Sequence, residues 1–447
     1  MSEHFIERAR YLCSLGGAVG TVTALPGGVP ILHSASGCAG NFAWTQNGGS
    51  GLQVGGYCGS LTVPSSNIGE TEVVFGGEER LREQIKNTLE VVEGGLYVVM
   101  TGCVPEVIGD DIFAVVNDFR SEGVPIVGAA TGGFRGDSYW GYDLVLQSLF
   151  KDYLTKGLPK VKGRVNLWGI VPYMDPFWRG NLEGARHLLE LLGLEVNTFF
   201  TPADTLAAFQ EAGSAELNIV VSDIYGQRAA TRFEELHGTP FVTVPLPLGV
   251  SASEAFLNQI AAALSLAPSS VHEVIAREKR HYYHMLEPLT DCYNDLDLQR
   301  YAVVVGDANY AVALTRFLAD DLGWLPVLTV VTDKVRAEDQ PALAGRVAGL
   351  ASGFETSLVF ESDTSEVLGH LNRVWPKAGG QKYYNSFSPA FVVGSSLDRE
   401  LALSIGAPHL SVSFPVGNRA VLDRGYTGFR GGLRLAEDLI SALVVNR

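Results

Sequence analysis

Between Tyr11 and Gly69 the chain carries no Asp, Glu, Lys or Arg, although the whole sequence holds 33 basic and 49 acidic residues. So long an uncharged run cannot present a large face to water. Gly, Ser and Pro interrupt it too often for a membrane helix. It reads as a buried, loop-rich segment packed against a partner, or as a low-charge shell around a cofactor; the two are compatible. Three of the five cysteines, Cys13, Cys38 and Cys58, fall inside it.

Beyond this segment, strand and helix patterns alternate. Charge-rich helical spacing runs from Glu78 to Val92, followed by a buried strand pattern at Leu96–Met100. Asp110 or Asp111 opens a helix that runs to Phe119, and Val124–Gly128 is the next strand. The unit recurs with strand Val165–Val171, helix Asn181–Leu192 and a strand from Gly193 to Val196. It recurs again with strand Tyr301–Asp307, helix Ala311–Leu322 and strand Leu325–Val330. This rhythm predicts an α/β fold of three Rossmann-like domains with mostly parallel sheets, spanning residues 1–160, 161–285 and 286–447. Ala276–Leu298 reads as a linker helix. No G-x-G-x-x-G or G-x-x-x-x-G-K-[ST] accompanies the three units, so no nucleotide hydrolysis is expected of this chain.

The 447 residues allow two to four domains. A net charge of −16 argues against nucleic acid or an anionic membrane as partner. The first residues lack the apolar core of a signal peptide, and no stretch reads as a membrane span. Five cysteines, an odd number, favour a reducing cytoplasm over a disulfide framework.

No cysteine pair has C-x-x-C spacing, which disfavours a zinc knuckle. Cys38 follows the apolar run Val29–Leu32, and Cys103 follows the strand ending at Met100. Ligands of open α/β sheets bind beyond such strand ends. Cys13 precedes Gly16-Gly17, where backbone can approach a bulky group. Iron–sulfur clusters take thiolates from turns of this kind. Three thiolates fall one short of a four-cysteine site, which suggests a cluster shared across a subunit interface.

Several ordered motifs resemble the nitrogenase component 1 family. His33-Ser34-Ala35-Ser36-Gly37-Cys38 resembles its H-G-S-Q-G-C turn, and Glu70–Gly77 its E-x-x-x-V-F-G-G stretch. Cys103–Asp111 resembles C-x-x-E-[IV]-I-G-D-D, and Phe414–Val416, Asp423-Arg424 and Gly425–Gly431 resemble the β-subunit terminus. The resemblance implies a β-type subunit in an α2β2 assembly. It implies Cys13, Cys38 and Cys103 as this chain's metal and cofactor ligands, its half of a P-cluster-like 8Fe–7S iron–sulfur cluster shared with an α-type subunit. It further implies a catalytic iron–sulfur cofactor in the partner chain, no catalytic residue here, and a transiently docking ATP-hydrolysing reductase protein. Phe75 matches a phenylalanine near that docking surface, or is an ordinary core aromatic.

Two departures narrow the reading. Val221-Ser222-Asp223 stands where an α-type cofactor cysteine would fall, so no catalytic cofactor is expected here. Thr131-Gly132-Gly133-Phe134 replaces the usual T-P-S-F and removes a serine that is a redox-dependent cluster ligand. The short N-terminus, the Gly-rich stretch Gly40–Asn67 and this missing serine resemble the methylthio-alkane reductase β subunit, which serves C–S bond cleavage. A nitrogenase β subunit and a cofactor-assembly scaffold are the alternatives. Cys58 is either an extra thiol or, as free cysteines usually are, simply buried; Cys292 has no assigned role.

Overall fold

A computed structural model describes residues 6–52, 63–293, 295–376 and 387–445. Three sheets follow one another along the chain. The first has order β1-β2-β3, built from Gly28–His33, Leu96–Thr101 and Ile126–Ala129. The second has order β5-β4-β6-β7, from β4 (Val161–Trp168), β5 (Glu195–Asn197), β6 (Ala215–Val220) and β7 (Phe241–Thr243). The third, β10-β9-β8-β11-β12, uses β8 (Tyr301–Gly306), β9 (Leu325–Val331), β10 (Ser357–Phe360), β11 (Ala390–Gly394) and β12 (His409–Ser411). Every pairing within the three sheets is parallel. Parallel strands are buried on both faces, which is why β2 reads as the unbroken apolar run that the sequence shows. Among the described residues no helix is long and apolar enough to cross a membrane.

The uncharged segment is less loop-like than expected. Its described part holds helix Ser14–Ala24, strand β1 and helix Ser36–Gly49. The first of these is buried along nearly its whole length. A helix can hide all its faces only if a neighbour comes very close. A Cβ on Gly17 would lie 1.8 Å from the carbonyl oxygen of Ser138, and one on Gly141 would lie 1.8 Å from that of Ser14. Gly17 therefore admits the helix Ser138–Asp152, not a cofactor. Other boundaries also move. The expected linker helix is Pro268–Leu286 followed by the short Leu289–Cys292, and it buries Val271, Ile275 and Tyr282 instead of bridging solvent. The helix expected to run to Leu322 ends at Arg316 and continues as a π-helical turn, Phe317–Asp321.

Loops at the carboxyl ends of the strands meet where the three sheets converge, and they bury carboxyl groups there. Asp143 accepts from the Gly226 and Ala229 amides, and Asp333 from the Ala308 amide and the Tyr225 hydroxyl. Asp175 accepts from Asn181 and Tyr310. Burial is the first cause that raises these acids, Asp143 to about 6 and Asp175 to about 7. The folded chain thus holds these protons at a pH where the unfolded chain has released them. Stability must fall as pH rises from the ordinary carboxylate value of 3.8 through about 7, and then level off. The expected result is a thermal midpoint lower at pH 8 than at pH 5.5, with a shallower slope in Asp143→Asn. An unchanged slope in that variant counts against this account.

Candidate functional site

The three cysteines lie on one edge of the molecule, beyond the carboxyl ends of the first sheet. Cys13 caps the helix Ser14–Ala24, Cys38 sits in the first turn of Ser36–Gly49 just past β1, and Cys103 opens the helix Cys103–Ile108 just past β2. The loop after β3 completes the edge. From the point where a Cβ on Gly133 would stand, the Sγ atoms of Cys103 and Cys13 are 3.0 and 3.4 Å away. The Gly133 amide donates to the Cys103 sulfur at 3.2 Å. Cys38 is near enough to both other cysteines that their ionised forms would oppose its own ionisation. All three are free; Cys103 is exposed and the other two are half-buried.

Each loop is tied to its neighbour. Glu106, in the motif that begins with Cys103, accepts from the Gly132 amide and from Arg135 Nε, both at 2.7 Å, and from the Thr101 hydroxyl. Thr131 bonds Thr101 twice. Ser14 donates to the carbonyls of Thr131 and Gly132, and the backbone of Cys13 bridges that of Asp137. The helix of Cys103 ends at Gly109 with φ 85°, the left-handed cap that favours glycine. Next to it, Asp110 accepts from His33 Nε2 at 3.0 Å and from the Gly77 amide at 2.9 Å, which joins three of the sequence motifs. Burial holds His33 below the ordinary imidazole value, so the ring is neutral and its Nδ1 faces the Ser66 hydroxyl. Asp111 is the N-terminal cap of the next helix, accepting from the Ala114 amide.

The arm before Cys13 is held from a distance. Arg10 is buried and forks onto both carboxylate oxygens of Asp398, at 2.8 and 2.9 Å. It also donates to Thr364 and Ser395. The Thr364 hydroxyl in turn donates to the Arg8 carbonyl. The motif that begins with Cys103 included Glu106 without showing what it holds; no sequence pattern marked Arg10 or Asp398, whose pairing spans most of the chain.

Apolar side chains on the elements next to the thiols face solvent. Phe75 is 84% exposed, which overturns the reading of it as a core aromatic. Val74, Val107 and Phe134 are exposed with it. The helix of Phe75, Glu70–Phe75, packs on that of Cys103. A lone exposed apolar residue means little, but a group of them around a reactive edge marks an interaction face.

A donor set of three thiols suits a thiophilic centre such as an iron–sulfur cluster. Among the described residues no three His, Cys, Asp or Glu side chains are close enough to hold a single metal. Thiols spread around an open edge, with a backbone amide aimed at sulfur, match iron–sulfur ligation. Burial raises the Cys13 and Cys38 thiols, so both are protonated until a metal displaces the proton. Ser222, at the position compared with a cofactor cysteine, accepts from the Ile224 and Tyr225 amides and donates to Asn309, and so serves as a turn cap. Cys58 lies outside the described residues, and Cys292 closes a short helix.

Comparisons with known proteins agree with this frame. A profile of the family described as nitrogenase component 1 type oxidoreductase matches residues 13–444. The chain is 26% identical to the nitrogenase molybdenum–iron protein beta chain of Sinorhizobium fredii over 85% of its own length and 74% of that protein. It is 22% identical to the nitrogenase vanadium–iron protein beta chain of Trichormus variabilis, covering 97% of this chain and 93% of that one. Among solved structures, nitrogenase Cp1 at pH 6.5 superposes with a TM-score of 0.80 at 17% identity, over 100% of this chain and 95% of that chain. The chain therefore belongs to the nitrogenase component 1 type oxidoreductase family, as a subunit of the beta-chain type.

Proposed function

We propose that this chain is the electron-relay β subunit of a nitrogenase-like reductase, and that Cys13, Cys38 and Cys103 are its ligands to a P-cluster-like 8Fe–7S cluster. The observation that carries this is the gathering of three free cysteines at one sheet edge under an exposed apolar rim. The other half of the ligand set, and the cover for the part of the rim next to the thiols, come from an α-type subunit in an α2β2 assembly. The ATP-hydrolysing reductase protein docks near Phe75. The three sheets correspond to domains with boundaries near residues 160 and 285, and the assembly works in the cytoplasm.

When bound, such a cluster supplies reversible one-electron storage between the reductase protein and the α-subunit cofactor. This chain's own residues supply the setting. Glu106 fixes the Cys103 and Gly133 loops against each other, and the Gly133 amide donates to the Cys103 sulfur. Hydrogen bonds to sulfur and the exclusion of water tune the potential of such a site.

The substrate class preferred is the small methylthio compounds, cleaved at C–S. Its support is Gly133, which brings no side-chain hydroxyl of its own to the place beside Cys13 and Cys103. A dinitrogen-reducing nitrogenase is the second reading, favoured by the relatives' names. The test is anaerobic co-purification with the α-type subunit, iron quantification, and turnover with methylthio-ethanol and with dinitrogen in separate assays. Cys13→Ala, Cys38→Ala and Cys103→Ala should each lose iron and change the cluster spectrum. Iron-free wild-type protein would sink the cluster assignment, and a spectrum that survives all three changes would sink the ligand assignment. Iron without reductase-dependent turnover would mark an assembly scaffold.

A further inference from the structure

A cleft of about 240 Å3 opens between three helices, Trp178–Glu190, Pro268–Leu286 and Gly428–Val445. The first follows β4 of the second sheet and the last follows the third sheet, so the cleft spans both. Backbone contact sets its walls. A Cβ on Gly180 would lie 2.4 Å from the carbonyl carbon of Arg424, and one on Gly184 would lie 2.8 Å from the carbonyl oxygen of Thr427. Asn181 locks the crossing. Its side-chain oxygen accepts from the amides of Tyr426 and Thr427, and its carbonyl accepts from the Thr427 hydroxyl at 2.7 Å. The cleft is therefore formed before any ligand arrives.

Its lining carries both signs of charge. Glu278 is only 9% exposed, although carboxylates are seldom buried unless paired. Among the described residues its one side-chain hydrogen bond comes from the neighbouring Arg277, 3.2 Å from Oε1 and itself half exposed. Glu183 lines the same cleft from the first helix. The last helix contributes Arg430 and Arg434. They stand four residues apart and so share one helix face, where like charges repel. Both are exposed, and among the described residues neither makes an ion pair or a side-chain hydrogen bond. In a chain with 49 acidic residues against 33 basic ones, two fork-shaped donors are thus left open to an incoming carboxylate. Leu188 and Phe429, both buried, add apolar surface.

We propose that this cleft binds a compact zwitterion of the amino-acid type, its carboxylate held by Arg430 and Arg434 and its ammonium by Glu278 and Glu183. A ligand of one charge sign would meet a like-charged pair in the same small space, whereas a zwitterion answers both pairs. Guanidinium forks take a carboxylate two bonds at a time, and the ammonium gives the buried Glu278 a second partner. The volume lies below that of drug-sized sites, which limits the ligand to a short side chain. The bound zwitterion ties the helix Trp178–Glu190 to the helix Gly428–Val445. This inference stands apart from the cluster and its cysteines.

The test is calorimetric titration of the full chain with L-alanine, and with acetate and ethylammonium as its two halves, at matched ionic strength. L-Alanine should bind saturably, and each half should bind at least tenfold more weakly. Arg430→Ala with Arg434→Ala should lower L-alanine affinity at least tenfold. Both side chains are exposed, so the fold should stand, and an unchanged thermal midpoint without ligand checks this. Glu278→Gln keeps the side chain's shape, and it should weaken L-alanine while leaving the weak acetate binding as it was. Absence of L-alanine binding by wild-type protein, or equal binding by the double arginine variant, overturns the site. Either half binding as tightly as L-alanine overturns the zwitterion assignment, and unchanged L-alanine affinity in Glu278→Gln overturns the ammonium contact.

Discussion

Replacing Arg10 with alanine is expected to destabilise the chain by about 3–5 kcal/mol, the usual cost of stripping one partner from a buried ion pair. Among the described residues, the substitution leaves the buried Asp398 carboxylate with the Ser395 amide as its one remaining hydrogen-bond donor. It also empties the space that the guanidinium shares with Thr364 and Ser395. Lysine keeps the charge but not the fork, and should recover only part of the loss. In a chain built on three sheets the loss falls first on the elements that Arg10 joins. Hydrogen exchange is the better measurement. In Arg10→Ala, protection should fall in the arm up to Cys13 and around Asp363–Asp398, with little change in the second sheet. Uniform loss of protection throughout would show that Arg10 does not act as a local tether.

The helix crossing beneath Cys13 gives the second large effect. Gly17→Ala puts a methyl carbon 1.8 Å from the Ser138 carbonyl oxygen, and Gly141→Ala does the same against Ser14. Backbone atoms cannot rotate away as a side chain can, so the helices Ser14–Ala24 and Ser138–Asp152 must separate. Overpacking of a core costs about 1–3 kcal/mol and more where nothing yields, so a loss of about 3 kcal/mol is expected for either variant. Each shift also carries Cys13 away from Cys103. Metal-free protein should therefore show faster modification of Cys13 by a thiol reagent, and metal-loaded protein should lose iron. A stable Gly17→Ala variant with wild-type thiol kinetics would contradict this packing.

The two effects share a cause that the sequence conceals. Cys13 was legible as a ligand only through motif order, and its Gly16-Gly17 neighbour suggested close approach to a cofactor. The close approach is real, but the group approached is helix Ser138–Asp152. Glycine states that something comes near without stating what. Phe75 was similarly undecided between core and surface, because an aromatic on a short amphipathic stretch fits either; its neighbours left it 84% exposed. Arg10 carried no signal at all, since an arginine beside an uncharged segment looks like an ordinary surface residue until Asp398, far along the chain, is placed against it.

The sequence by itself determined the local and periodic features: the parallel α/β alternation, the β-type motif order, and the presence of three cysteines in or near an uncharged stretch. These depend on side-chain pattern over a few residues, and strand and helix periods express it directly. Tertiary structure alone decided that this stretch is largely helical where described, and that Glu106 and Asp110 stitch the cysteine loops together. It also decided that the arm of Cys13 is fastened to the third sheet and that three strand ends enclose a cleft. Such features join residues from tens to hundreds of positions apart, and buried charge pairs and helix contacts become visible only once the chain has closed upon itself.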